Sequence, residues 1–190
     1  MYGHRIYIRD SSGNSITSAK LEVFGVSKRD RLPNAFQNYF TRGAYFVGFI
    51  MYGCAYSGDF VLRVSAEGFQ TYERPISFTE GLAACELRLR PKGSTMQADF
   101  EILATLRGKV VDQKGRPFSG GQISARNVHG KVYQDNSNEY GYYSLDLPKG
   151  TYTVRLSGTE IAPVVFENYR IEDRDTTLNF STCRKCTPAK

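Results

Sequence analysis

The sequence predicts an all-β protein built as two tandem β-sandwiches, and three observations predict it. Apolar and polar residues alternate with a period of two along most of the chain, as half-buried strands require. Turns rich in Gly and Pro separate the alternating runs. A set of these features then recurs in both halves of the 190 residues.

The elements can be justified in chain order. Met1-Tyr2-Gly3-His4 leads directly into a strand that ends near Ile8, and Gly13 marks the turn before Ile16 and a second strand at Leu21. A long connection, Gly25 to Arg42, follows, with a second irregular stretch from Ile50 to Ser57. The strand Gly58 to Val64 leads to Ala66-Glu67-Gly68-Phe69, and Leu87 with Leu89 closes the first half. Residues 91–98, Pro-, Gly- and Ser-bearing, read as a linker, and Phe100, Ile102 and Ala104 alternate as the lead-in strand of a second domain.

In the second half Gly115-Arg116-Pro117 separates Val110-Val111 from the strand of Ile123 and Ala125. Tyr143, Leu145 and Leu147 then share one face and Tyr142, Ser144 and Asp146 the other. Pro148 lacks an amide donor and Gly150 tolerates positive φ, so Leu147-Pro148-Lys149-Gly150 is a turn. Beyond it Tyr152, Val154 and Leu156 point inward, with Thr151, Thr153 and Arg155 outward. Val164 to Phe166, Ile171, and Leu178 with Phe180 supply the closing strands.

The two halves align. At an offset of 102, set by Asp10 and Asp112, Ile8 meets Val110, Gly13 meets Gly115, Ile16 meets Phe118, Ala19 meets Gly121 and Leu21 meets Ile123. At an offset of 92, Gly58 to Val64 meets Gly150 to Leu156. The expected organisation is a first sandwich over residues 1–90 with long loop insertions, a linker over 91–98, a second sandwich over 99–182, and a Cys-containing tail over 183–190.

Gly108 to Asp112, Gly115-Arg116-Pro117, Gly120 to Ile123, Glu139-Tyr140-Gly141-Tyr142-Tyr143 and Leu147 to Val154 together resemble the carboxypeptidase regulatory-like family. The resemblance implies that each half is a prealbumin-like (transthyretin-like) Greek-key sandwich related in architecture to Ig-like folds. It implies accessory, adhesive or scaffolding roles, since fold alone licenses no activity. The multi-His set and terminal Tyr-Arg-Gly-Ser that mark the family's hydrolase relatives are missing here. Related collagen-binding modules carry an internal Lys–Asn isopeptide bond, and Lys109 with Asn179 would be the pair. Lys109, however, alternates outward when Val110 points in.

A formal charge of +6 hints at an acidic partner, but the basic residues are interleaved with acids and no nucleic-acid-binding signature accompanies them. No apolar run reaches the roughly 20 residues a membrane helix needs. Within the first connection Arg29, Arg31, Phe36, Tyr39 and Arg42 suit a basic-aromatic binding face; alternatively Phe36, Tyr39 and Phe40 sit on one side of a short helix after Pro33-Asn34. His4 and His129, the chain's two histidines, fall at non-equivalent positions and read as surface residues. Asp135 to Glu139 reads as a turn before a calcium loop, lacking that loop's spacing. The four cysteines suit disulfides better than zinc, Cys54 with Cys85 as one pair, while Cys183 with Cys186 in the tail could close on itself, bind metal with a partner or link chains.

No cofactor is expected. The expectation is a non-enzymatic, extracytoplasmic module, its export signal not visible in this chain, that meets a protein or glycan surface or self-associates through strand edges. A structural subunit of an ordered assembly and an accessory region of a hydrolase are the alternatives.

Overall fold

The computed structural model describes residues 2–25, 39–41, 44–49, 59–77, 81–172 and 174–183. The chain forms two compact units, Met1–Ile102 and Leu103–Lys190. Among the described residues there is no helix.

The first unit is built from β1 (Tyr2–Arg9), β2 (Lys20–Gly25), β3 (Tyr39–Thr41), β4 (Ala44–Phe49), β5 (Asp59–Ser65), β6 (Tyr72–Ser77) and β7 (Gly81–Arg88). One layer runs β3-β4-β1-β7, with β1 antiparallel to β4 and parallel to β7. The other runs β2-β5-β6, all antiparallel. Ile6, Ile8, Leu21, Val23, Leu62, Val64, Leu87 and Leu89 are buried between them. Each fully buried aliphatic side chain contributes about 1.5–3 kcal/mol of transfer free energy.

The strand β8 (Asp99–Val111) contributes its first four residues to this unit and is β7's other neighbour in the sheet. Phe100, expected as the opening of the second domain, packs with Ala98 against the first core. Residues 91–98, expected as a linker, make hydrogen bonds within the first unit: Lys92 donates its amide to the Gly68 carbonyl, and Gln70 donates its side-chain amide to the Ser94 carbonyl.

The second unit takes the rest of β8 with β9 (Gln122–Asn127), β10 (Val132–Asn136), β11 (Tyr142–Leu147), β12 (Gly150–Ser157), β13 (Val164–Ile171), β14 (Thr176–Thr177) and β15 (Phe180–Ser181). One layer pairs β8 antiparallel with β11 and parallel with β14 and β15. The other runs β10-β9-β12-β13. Every inward position read from the alternation of β11 and β12 is buried in this core.

The repeat extends to hydrogen-bond register. Ile8 pairs with Leu87, and Val110 with Phe180; Leu21 pairs with Val64, and Ile123 with Leu156. Tyr72 pairs with Val64, and Val164 with Leu156. At the end of each unit Leu89 donates to the Arg9 carbonyl as Thr182 does to Val111, and Gln70 donates to Arg90 as Ala162 does to Cys183. One extra residue separates the copies in β13. The ladder with β12 shifts between Tyr152 and Val154, and Asn168 takes φ 54°, the geometry of a β-bulge.

A single turn is used four times. Asp10, Asp112, Asn127 and Asn138 each accept, through Oδ1, the amides two and four residues ahead. Each also donates its own amide to the carbonyl four residues on, at 2.8–3.0 Å. The third residue onward is always Gly, with φ between 76° and 88°. The short Asp or Asn side chain carries an acceptor oxygen that caps both amides, and Gly adopts that φ without strain, so Asx-x-x-Gly writes the hairpin locally.

Candidate functional site

The residues singled out in the first connection do not converge on a described site. Arg29, Arg31, Phe36 and Arg42 lie outside the described residues. Tyr39 opens β3, where Tyr39, Phe40 and Thr41 pair with Phe46, Tyr45 and Ala44. The expected helix is therefore corrected at Tyr39 and Phe40. An antiparallel ladder supplied by β4 outweighs the helical spacing, and Tyr, Phe and Thr are all strand formers.

Cys54 and Cys186 also lie outside the described residues. Cys85 is buried in the first core with its Sγ 3.7 Å from the Arg5 carbonyl oxygen, while Cys183 is exposed just beyond β15. His4 lies in β1 and His129 on the exposed β9–β10 tip, its amide held by Asn127.

The oxygen-rich segment Asp135 to Glu139 is engaged in holding backbone. Asp135 Oδ2 accepts from the Ser144 amide, and Asn138 caps the turn before β11. Ser137 is buried, where its Oγ accepts from the Gly121 amide and donates to the Phe118 carbonyl. Among the described residues no three His, Cys, Asp or Glu side chains gather as metal ligands.

One carboxylate is buried away from a core. Glu86 on β7, 3% exposed, accepts from Arg9 Nε at 3.0 Å and Arg88 Nε at 2.8 Å. The Glu86 hydrogen bond holds the Arg88 guanidinium above its ordinary pKa. Through this one carboxylate the guanidinium of Arg9 on β1 is tied to β7.

A candidate surface is the outer face of β8 and β11. Tyr142 stands across from Lys109, whose Nζ lies 5.4 Å from the centre of its ring. The next row carries Ser144, Arg107 and Thr177, and the next Asp146 and Thr105, joined by a 2.8 Å hydrogen bond. Tyr140, in the turn ahead of β11, is 61% exposed and Tyr142 55%. Two phenol rings and two cations thus line one end of the face, an arrangement that attracts anionic groups while offering flat apolar area.

Lys109 and Asn179 are neighbours without the geometry for a covalent link. Asn179 Oδ1 accepts from the Lys109 backbone amide at 2.9 Å, while the Lys109 amine lies over Tyr142. Reading loops first overlooked the Lys109–Tyr142 row. Its signal was already in the alternation, which turned both residues outward.

Residues 105–182 match the family model of the carboxypeptidase regulatory-like domain. No curated protein matches the chain by sequence. Among solved structures, the C-terminal fragment of pilus adhesin SpaC from Lactobacillus rhamnosus GG is 10% identical, over 100% of this chain and 99% of that one, at a TM-score of 0.36. A Streptococcal ancillary pilin is 13% identical over 95% of this chain and 62% of its own, at 0.35. The Bacillus anthracis TIE protein is 15% identical over 95% of this chain, at 0.33, and the chain spans 34% of its length. Likenesses this loose do not bear on function.

Proposed function

We propose that the protein is a non-enzymatic, extracytoplasmic module that binds a protein or glycan surface through the periphery of its sandwiches. The supporting observation is exposed Tyr142 and Arg107 with half-buried Lys109 on the β8–β11 ladder, beside exposed Tyr140 in the preceding turn. The described polar groups of the second unit that were candidates for chemistry are instead engaged in turns and ladders. Such a face favours an acidic partner that also presents flat apolar area, the faces of sugar rings included.

The test is binding of the purified chain to an array of acidic and neutral glycans and to acidic protein surfaces. The Tyr142→Ala, Lys109→Ala double variant is expected to weaken binding about tenfold or more without lowering the melting temperature. Binding should also fall as salt rises. Unchanged binding by that variant would sink the reading.

A structural subunit of an ordered assembly is the second reading, favoured by the outer edges of β10 and β13, which among the described residues pair on one side only. Electron microscopy across a concentration series tests it: ordered particles support assembly, and monomers throughout refute it.

A further inference from the structure

The repeat places one arginine at the same position on the outer face of the β2-β5-β6 layer and of its counterpart β10-β9-β12-β13, and gives it opposite surroundings. In the first unit it is Arg63 on β5, with Glu22 of β2 across from it on one side and Glu73 of β6 on the other. Arg63 Nε donates to Glu73 Oε1 at 2.6 Å, and its guanidinium lies 4.7 Å from the centre of the Phe24 ring. Glu22 also binds Lys20 Nζ at 2.9 Å. The arginine's charge is thus answered from within the sheet, and Arg63 is half-buried.

In the second unit the counterpart is Arg155 on β12, and both acids are replaced. Ser124 of β9 and Val165 of β13 stand across from Arg155 where Glu22 and Glu73 stand across from Arg63. The Phe24 position is taken by a second arginine, Arg126, which pairs with Thr153 as Phe24 pairs with Val61. Arg126, Thr153 and Arg155 are exposed, and among the described residues neither arginine makes an ion pair. The outward positions of β9 and β12 carry Gln, Ser, Thr and Arg alone, with no aromatic ring.

We infer that the outer face of β9 and β12 is a docking site for an acidic strand of a partner protein, two of whose carboxylates, at alternate residues, seat on Arg126 and Arg155. The first unit supplies the chemistry, since the arginine at this place in the fold is met there by a glutamate carboxylate from the neighbouring strand. The spacing supplies the form. Arg126 and Arg155 stand diagonally on adjacent strands, where such neighbours are roughly 7–8 Å apart, and alternate side chains of an extended strand repeat at about 7 Å. Each guanidinium takes one carboxylate through its planar fork, and the Ser124 and Thr153 hydroxyls in the same two rows offer further donors. Lacking an aromatic ring, the face gives a sugar no plane to stack on, which favours an acidic strand over an acidic glycan. The inference goes beyond the proposed function and uses none of the Tyr142 face.

The probe is a synthetic β-hairpin displaying Glu-Thr-Glu on one strand, titrated into the full chain and followed by amide NMR, with a Gln-Thr-Gln hairpin as control. The expected result is saturable shifts at Ser124, Arg126, Thr153 and Arg155 by roughly 1 mM hairpin at low salt, weakening as salt rises and absent with the control. Arg126→Gln and Arg155→Gln should each weaken binding about tenfold. The Ser124→Glu, Val165→Glu protein, which copies the acids of the first unit onto Arg155, should lose it. The Tyr142→Ala, Lys109→Ala protein should bind normally, which separates failure of this face from failure of the other. Absence of shifts, equal shifts with the control, or undiminished binding by the Ser124→Glu, Val165→Glu protein would overturn the inference. Tighter binding of a polygalacturonate oligosaccharide at the same residues would also overturn it, by making an acidic glycan the occupant. Concentration-dependent shifts at Arg155 without hairpin would do so by making a second copy the occupant. Shifts confined to Tyr142 and Lys109 would overturn it and leave the reading of that face standing.

Discussion

The units share a tyrosine and use it in opposite ways. Tyr45 pairs with Ile6, and Tyr143, at the same place in the repeat, pairs with Gly108. Beside Ile6, the Tyr45 hydroxyl donates to the Ile16 carbonyl at 3.1 Å and accepts from the Ala19 amide at 2.9 Å. It thereby ties the segment that links β1 to β2. Beside Gly108, the Tyr143 hydroxyl donates to the Leu178 carbonyl at 2.6 Å. It thereby ties the closing strand.

That choice has a visible effect. β7 runs unbroken for eight residues, whereas its counterpart is split into β14 and β15 around Leu178-Asn179. With the Leu178 carbonyl turned to Tyr143, the Asn179 side chain meets the Lys109 amide. One missing Cβ therefore redirects a buried hydrogen bond from one strand connection to another.

Exchanging the neighbours should break the comparison most severely. A Cβ on Gly108 would overlap the Leu178 carbonyl oxygen and crowd the Tyr143 ring. Gly108→Ile is expected to cost about 4 kcal/mol or more, read as a lower denaturant midpoint for the second unit. A midpoint within about 1 kcal/mol of the parent would show that Gly108 is not what directs Tyr143.

Removing the hydroxyls is the next test. Tyr143→Phe leaves the Leu178 carbonyl without its donor and should cost about 1.5 kcal/mol. Burial also raises the pKa of Tyr143 strongly and that of Tyr45 to a lesser extent. Because the unfolded phenol ionises first, near its ordinary value of 10.0, stability is fully present below that pH and is lost as pH rises beyond it. The second unit should lose more stability than the first in an alkaline titration, and Tyr143→Phe should remove the difference. Equal loss in both units would contradict the assignment.

The smallest effect lies in the four turns. The side chain of Asn14 and backbone amides hold Asp10 below its ordinary pKa; the Arg116 side chain and backbone amides do so for Asp112. Their contribution is present above the unfolded value of 3.8 and is lost as pH falls through the lower folded values. Hydrogen exchange in acid should therefore deprotect the Lys114 and Arg116 amides before those of Tyr140 and Tyr142, which a non-titrating Asn138 holds. Simultaneous loss would mean that the cap does not depend on charge.

The strands and the repeat were legible because their signals are local. Alternation in Tyr143, Leu145 and Leu147 fixes a face without knowledge of the partner, and Asx-x-x-Gly fixes a turn within five residues. Gly108 gave no such sign, since the reason for it lies on the distant Tyr143 and Leu178. Phe100 misled for a related cause: its alternation identified a strand, but only the Tyr72 ring and the Arg74 guanidinium determine which core it serves. The bulge at Asn168 is one residue of difference between copies and was invisible until both ladders could be counted. The loop residues chosen for binding rested on composition, which names a chemistry without fixing a position.

The first and last strands of the repeat, β1 with β7 and β8 with β15, run side by side in the same direction. A pull on the two ends of such a sandwich drags these strands lengthwise past one another. Their cross-links are then strained together in shear, where an antiparallel hairpin would peel open one bond at a time. A tether under tension would draw mechanical resistance from that geometry.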